Sequence, residues 1–181
     1  MDGVLRGVDC CFVYLDDILV ASYSPAEHEE DLRTVFRLLA DNGLVVNQKK
    51  CVFGVQSIEF LGHQVSAAGV QPLADKVSAI SNMPAPVDKK DLQRFLGMVN
   101  FYHRFLPRIA SRLVPLTDAL KGKSKKEIAW SSDCELAFND VKAALASAVM
   151  LHHPSPVAET KLTIYASDFA IGVELAQRLD G

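Results

Sequence analysis

An α+β fold is the architecture this sequence predicts, and three observations carry it. Short apolar runs rich in β-forming residues occur near both ends of the chain, at Cys10 to Ala21 and at Leu162 to Leu175. Between them lie stretches with apolar residues at helical spacing, over 25–42, 88–106 and 132–148. Proline and glycine separate the segments, and no internal repeat is visible.

Taken in order, Cys10 to Ala21 (CCFVYLDDILVA) is two β-rich runs flanking Asp16 and Asp17. This is a hairpin signal, although Asp-Asp is a poorer turn pair than Asn-Gly. Ser24-Pro25 opens a helix to about Asn42, with Leu32, Val35, Phe36 and Leu39 at helical spacing and Gly43 as its stop. The next stretch, to Ser66, reads as short strands: LVVN, CVFGV and IEFLGHQVS. Asp75 to Asn82 predicts a short helix ended by Pro84 and Pro86. Asp88 is the expected N-cap of a longer helix reaching about Leu106, before Pro107. Lys121 to Lys126 (KGKSKK) is the best linker candidate. Ser132 or Asp133 starts a helix through Ala148, with Leu136, Val141 and Leu145 on or near one face. His152 to Pro156 interrupts the chain, and strands follow at Leu162 to Tyr165 and Ile171 to Leu175.

The 181 residues are 49% apolar, ample for one core or two small ones. No run of about 18 apolar residues is present to span a membrane, and the N-terminus lacks a basic-then-apolar signal pattern. The four cysteines, Cys10, Cys11, Cys51 and Cys134, have no metal-ligand spacing. They read as reduced thiols of an intracellular protein, cytoplasmic or nuclear. The net charge of −3 conceals an asymmetry. Lys89 to Lys126 holds ten basic residues against Asp91 and Asp118, a net +8, and the remainder is −11. Such a block suits a segment that meets a polyanion, or a solvated helix face followed by a Lys-rich loop.

Asp16 and Asp17 stand inside a strongly apolar hairpin. Burying an unpaired carboxylate is costly, so such a pair sits at an exposed turn or holds a cation. In a regular strand the two would point to opposite faces, so both reach one site only if the backbone bends there. Taken alone, the pair is most simply a surface turn.

The helix after Asp88 repays an angular reading. At 100° per residue from Leu92, the residues Phe95, Leu96, Val99, Tyr102, His103 and Leu106 share one direction, the expected buried stripe. The opposite face carries Lys90, Arg94, Gly97, Phe101, Arg104, Phe105 and Arg108. Cations, flat rings and a missing side chain suit nucleic acid, with arginines on phosphates and glycine permitting close approach. The other reading packs Phe101 and Phe105 against a second helix.

Tyr14-Leu15-Asp16-Asp17 matches the YxDD signature, and Ile18-Leu19-Val20-Ala21-Ser22 continues it. Phe60-Leu61-Gly62-His63, Phe95-Leu96-Gly97 with Asn100 to Phe105, Trp130 with Ala137-Phe138, and Ala166-Ser167-Asp168 with Ala170-Ile171-Gly172 follow in order. Over nearly its whole length the chain therefore resembles the reverse transcriptases of Ty3/gypsy-type retrotransposons. The resemblance implies the C-terminal half of a polymerase palm at 1–72, a helical thumb at 73–120, a basic tether with one helix at 121–157, and the first strands of a ribonuclease H-like domain at 158–181. It implies an RNA-directed DNA polymerase fragment, with a non-enzymatic remnant that binds nucleic acid through the thumb as the alternative.

By the same resemblance, Asp16 and Asp17 are catalytic, metal-binding carboxylates that hold two Mg²⁺ ions with a third aspartate from an earlier strand. Tyr14 and Leu15 would flank the primer terminus and the incoming dNTP. Phe60, Leu61, Gly62 and His63 match the primer grip, and Gln93, Arg94, Gly97, Phe101 and Arg104 match the thumb face that follows an RNA–DNA or DNA duplex. His63 taken alone would be a structural histidine. Two departures matter. Met1 falls inside the family's palm, so the first aspartate is missing and the chain is expected not to polymerise alone. Tyr165 stands at the first ribonuclease H aspartate, with Asp168 no obvious substitute, and Glu174 stands where the family prefers a small or apolar residue. RNA hydrolysis is therefore not expected.

Overall fold

The computed structural model describes residues 3–121, 127–148, 150–166 and 171–178. They form two compact units, Met1–Leu61 and Gly62–Gly181. The mixture of helices with antiparallel sheets is the predicted α+β class.

In the first unit, β1 (Cys11–Tyr14) pairs antiparallel with β2 (Asp17–Val20), Tyr14 opposite Asp17 and Cys11 opposite Val20. Alternation places Cys11, Val13, Ile18 and Val20 against the core residues Leu5, Val35 and Leu39. Phe12 and Tyr14 point outward. The helix α1 (Pro25–Asp41) begins where expected. Ser24 Oγ accepts from the Glu27 N–H at 3.2 Å, and Pro25 loses no bond at the first helical position. Burial pushes the Cys11 thiol up to about 12, and Cys10 and Cys51 are also free.

Two of the predicted strands do not form. Residues 44–47 are irregular, a 3₁₀ turn at Gln48–Lys50 follows with Asn47 Oδ1 accepting from the Lys49 N–H, and residues 51–55 are again irregular. Only β3 (Ser57–Phe60) is regular. A strand needs a neighbour for its backbone groups, and among the described residues none runs beside 44–55. Phe36, Leu44, Val45 and Phe53 instead rim an open apolar groove of about 490 Å³.

The second unit opens with β4 (His63–Ser66) and β5 (Gly69–Pro72), an antiparallel pair. The sequence reading missed β5 because Gly and Pro bound it. Val70 and Leu151 exchange backbone bonds of 2.8 Å each. Gly69 is obligatory there: its φ is 145°, and a Cβ would stand 2.2 Å from the Leu151 carbonyl oxygen.

Helices then enclose the core: α2 (Ala74–Ser81), α3 (Lys89–Phe101), α4 (Ile109–Arg112), α5 (Val114–Ala119) and α6 (Ser132–Ala146). Asp88 caps α3, accepting from the Asp91 N–H at 2.8 Å. Leu92, Phe95, Val99, Leu116, Val141 and Leu145 are buried together, and Phe95 meets Phe138 at 4.6 Å between ring centres. Leu136 is exposed, contrary to expectation, because it lies across α6 from the buried Cys134, Ala137, Val141 and Leu145. The last strands, β6 (Thr160–Ala166) and β7 (Ile171–Gln177), form a hairpin longer than predicted. No helix among the described residues is long and apolar enough to cross a membrane. Most of the KGKSKK linker, with Ser167, Asp168 and Ala170, lies outside the described residues.

Helix α3 is shorter than its spacing predicts. It ends at Phe101 with Tyr102 as C-cap, and His103–Phe105 is a 3₁₀ turn. A 3₁₀ turn advances about 120° per residue instead of 100°, so the helical wheel fails beyond Phe101. Phe105, placed on the outer face by that wheel, is 2% exposed, whereas His103, placed in the buried stripe, is exposed.

Candidate functional site

The acidic residues stand at a two-residue bend. Leu15 and Asp16 link β1 to β2, and Asp17 is the first residue of β2. Leu15 has φ 51°, while Asp16 is not in the left-handed region, a sign pattern of the type II′ hairpin turn. That turn prefers glycine at its first position, and a leucine held there costs about 1–2 kcal/mol. Leu15 is 77% exposed, so no burial offsets the strain. Tyr14, Asp16 and Asp17 are exposed too. Both acidic residues are thus exposed, Asp16 within the turn and Asp17 at the first position of β2.

Exposed carboxylate oxygens suit a hard cation such as Mg²⁺, which is held by one or two carboxylates together with water and substrate phosphates. Among the described residues no group of three or more His, Cys, Asp and Glu is placed to hold an ion.

Phe60 ends β3 and packs edge-on to Phe12, with ring centres 6.0 Å apart. Leu61 and Gly62 both have positive φ, 48° and 75°, which makes a left-handed corner. Beyond it, Gly62 and His63 dock on the end of α3. The Tyr102 hydroxyl donates to the Gly62 carbonyl at 3.2 Å, and a Cβ on Gly62 would come within 3.0 Å of the Phe101 ring. His63 is 5% exposed, stacked on Phe101 at 5.0 Å and close to Tyr102 and Phe105. Its Nε2 lies 3.2 Å from the Arg104 guanidinium, which also sits 5.4 Å over the Phe105 ring.

The outer face of α3 carries Gln93, Arg94, Gly97 and Phe101, all exposed, and Arg104 follows in the 3₁₀ turn. Arg94 is 3.4 Å from Asp91. A Cβ on Gly97 would meet nothing within 4 Å, so the protein's own packing does not require glycine there. Some of the basic block serves the fold: Lys89 donates to the Leu120 carbonyl at 2.8 Å, and Arg112 pairs with Asp140 at 3.3 Å. The roles of Phe105 beneath Arg104 and of His63 beside it escaped the sequence reading. The two partners stand 41 residues apart, and no local pattern marks them.

On the last hairpin, Tyr165 and Glu174 meet. The phenol donates to Glu174 Oε2 at 2.9 Å, and this bond with the adjacent negative charge raises the Tyr165 pKa. The two departures noted in the sequence are thus partners in space.

Comparison with known proteins bears on the family and the fold. A family described as reverse transcriptase (RNA-dependent DNA polymerase) matches residues 1–65, and an RNase H-like domain found in reverse transcriptase matches 130–181. The chain is 38% identical over 176 residues to a retrovirus-related Pol polyprotein from transposon opus of Drosophila melanogaster, covering 92% of this chain and 18% of that protein. It is 36% identical over 179 residues to the polyprotein from transposon 297 of the same fly, covering 98% and 17%. With the Tf2-3 polyprotein of Schizosaccharomyces pombe it shares 31% over 167 residues, covering 92% and 12%. The chain thus spans less than a fifth of these relatives. Among solved structures, the foamy viral protease-reverse transcriptase bound to double-stranded DNA superposes with a TM-score of 0.85 at 24% identity, covering 97% of this chain and 31% of that one. The same protein with an RNA/DNA hybrid gives 0.84 at 24%, covering 97% and 24%.

Proposed function

We propose that this chain, which matches a reverse transcriptase family over residues 1–65 and an RNase H-like domain found in reverse transcriptase over 130–181, is part of a Ty3/gypsy-type retrotransposon Pol polyprotein and contributes two catalytic carboxylates and a duplex-binding thumb to RNA-directed DNA synthesis by the parent enzyme. We assign palm to 1–72, thumb to 73–120, tether to 121–157 and the opening of the RNase H-like domain to 158–181. The observation that supports the catalytic part is the strained bend at Leu15, beside which Asp16 and Asp17 are both exposed. Backbone strain that packing does not repay is a mark of functional demand.

In this reading Asp16 and Asp17 are oxygen ligands for two Mg²⁺ ions, and Tyr14 and Leu15 border the primer terminus and the dNTP. Bound divalent ions supply activation of the primer hydroxyl and neutralisation of triphosphate charge. The chain's part is to fix the position of those oxygens. Phe60, Leu61, Gly62 and His63 form the primer-grip corner. Gln93, Arg94, Gly97, Phe101 and Arg104 take the duplex: the arginines meet phosphates and Gly97 leaves room for a sugar or backbone. Gly97 supports this best, because a mid-helix glycine costs about 1 kcal/mol against alanine and nothing in the protein fills the space.

A second reading, a non-catalytic remnant that binds nucleic acid, draws on the thumb face being built entirely within the second unit and on Tyr165 standing at the RNase H aspartate position. Filter binding to an RNA–DNA hybrid over a salt series tests what both readings share. Arg94→Ala and Arg104→Ala should each flatten the salt slope by about one, and binding indifferent to salt would refute the thumb assignment. Mixing the chain with the N-terminal half of a relative's polymerase separates the two. Mg²⁺-dependent primer extension that Asp16→Asn abolishes supports the first, and its absence with binding intact supports the second.

A further inference from the structure

We propose that His63, within the primer-grip corner, is a positioning residue for Arg104, aiming its guanidinium at a duplex phosphate. This rests on the reading of the thumb as a duplex-binding face. A guanidinium only donates hydrogen bonds, so at 3.2 Å the Nε2 of His63 must accept. The imidazole is then neutral, with its proton on Nδ1. Its acceptor is fixed in space because the ring is almost fully buried among Phe101, Tyr102 and Phe105.

The choice of partner matters. Among the described residues no carboxylate pairs with Arg104, whereas Arg94 stands beside Asp91. A carboxylate would orient an arginine but cancel much of its charge. A neutral imidazole orients it and leaves the full positive charge for phosphate. The Phe105 ring beneath the guanidinium, at 5.4 Å, restricts it further and is likewise uncharged. One of the five N–H groups is used by His63, and the exposed remainder can reach outward.

The test uses the full chain and a fluorescently labelled RNA–DNA hybrid, with anisotropy read over a KCl series. His63→Phe keeps a ring against Phe101 and removes the acceptor. It should weaken binding roughly three- to tenfold and flatten the salt slope by about one, matching Arg104→Ala. The double variant should bind no more weakly than Arg104→Ala alone. His63→Gln, whose amide oxygen can accept, should restore most of the affinity and slope. An unchanged slope in His63→Phe, or losses that add in the double variant, would overturn the proposal. Imidazole ¹⁵N spectra of the free protein provide a readout that does not involve nucleic acid. The Nδ1–H tautomer should dominate in the wild type and give way in Arg104→Ala; a ring indifferent to Arg104 refutes the positioning role. Loss of all salt-sensitive binding in the wild type with this tautomer pattern intact would count against the thumb reading and leave the His63–Arg104 bond standing.

Discussion

The hairpin bend and helix α3 break opposite local rules. At the bend, Leu15 carries a side chain where the backbone, at φ 51°, favours glycine. On α3, Gly97 lacks a side chain in a helix interior where any residue would fit. Neither choice helps the fold, and each breach sits in a segment with a proposed role in synthesis. They differ in support. Asp16 and Asp17 stand at an exposed turn with no buried side chain, among the described residues, behind Leu15 to hold it. The outer face of α3 is backed by Leu92, Phe95 and Val99, all fully buried. The difference is one of support: the outer face of α3 rests on a packed core within one unit, whereas the acidic bend is a solvent-exposed turn.

The largest effect expected from that contrast is on stability. Phe95→Ala should cost about 3–5 kcal/mol, because it empties a fully buried site against Phe138. Asp16→Asn, on the exposed tip, should stay within about 0.5 kcal/mol. Urea denaturation distinguishes them, and similar costs would show that the bend is more deeply integrated than its exposure implies. Gly97→Ala comes next: it should stabilise the chain by about 1 kcal/mol while weakening duplex binding. Tighter or unchanged binding in that variant would remove the functional reason for the glycine. Smallest is Leu15→Gly. Relief of about 1–2 kcal/mol of strain is largely offset by about 0.5–1 kcal/mol of added chain entropy. A net gain near 0.5 kcal/mol is expected, with loss of activity in the reconstituted polymerase. A clear destabilisation would mean that Leu15 is held for packing.

What could be read in advance follows the range of the forces involved. The hairpin around Asp16 and Asp17, the Ser24 and Asp88 caps and the start of α6 were legible because each depends on neighbours a few residues away. Periodicity likewise marked Val35, Leu39, Phe95 and Val99 for the core. The apolar segments LVVN and CVFGV misled, since composition gives β-propensity but cannot supply the adjacent strand. Phe105 was misplaced because a helical wheel assumes one geometry, and the chain changes to a 3₁₀ turn after Phe101.

The sequence by itself determined the family resemblance, the order of the main helices, the acidic pair and the charge asymmetry, all carried by local chemistry and spacing. Only the tertiary structure decided that His63 would turn to Arg104, that Leu151 would seat against Gly69, and that Tyr165 would meet Glu174. Those contacts join residues 41, 82 and 9 positions apart. Their energy depends on where packing brings the backbone, which no window along the chain records.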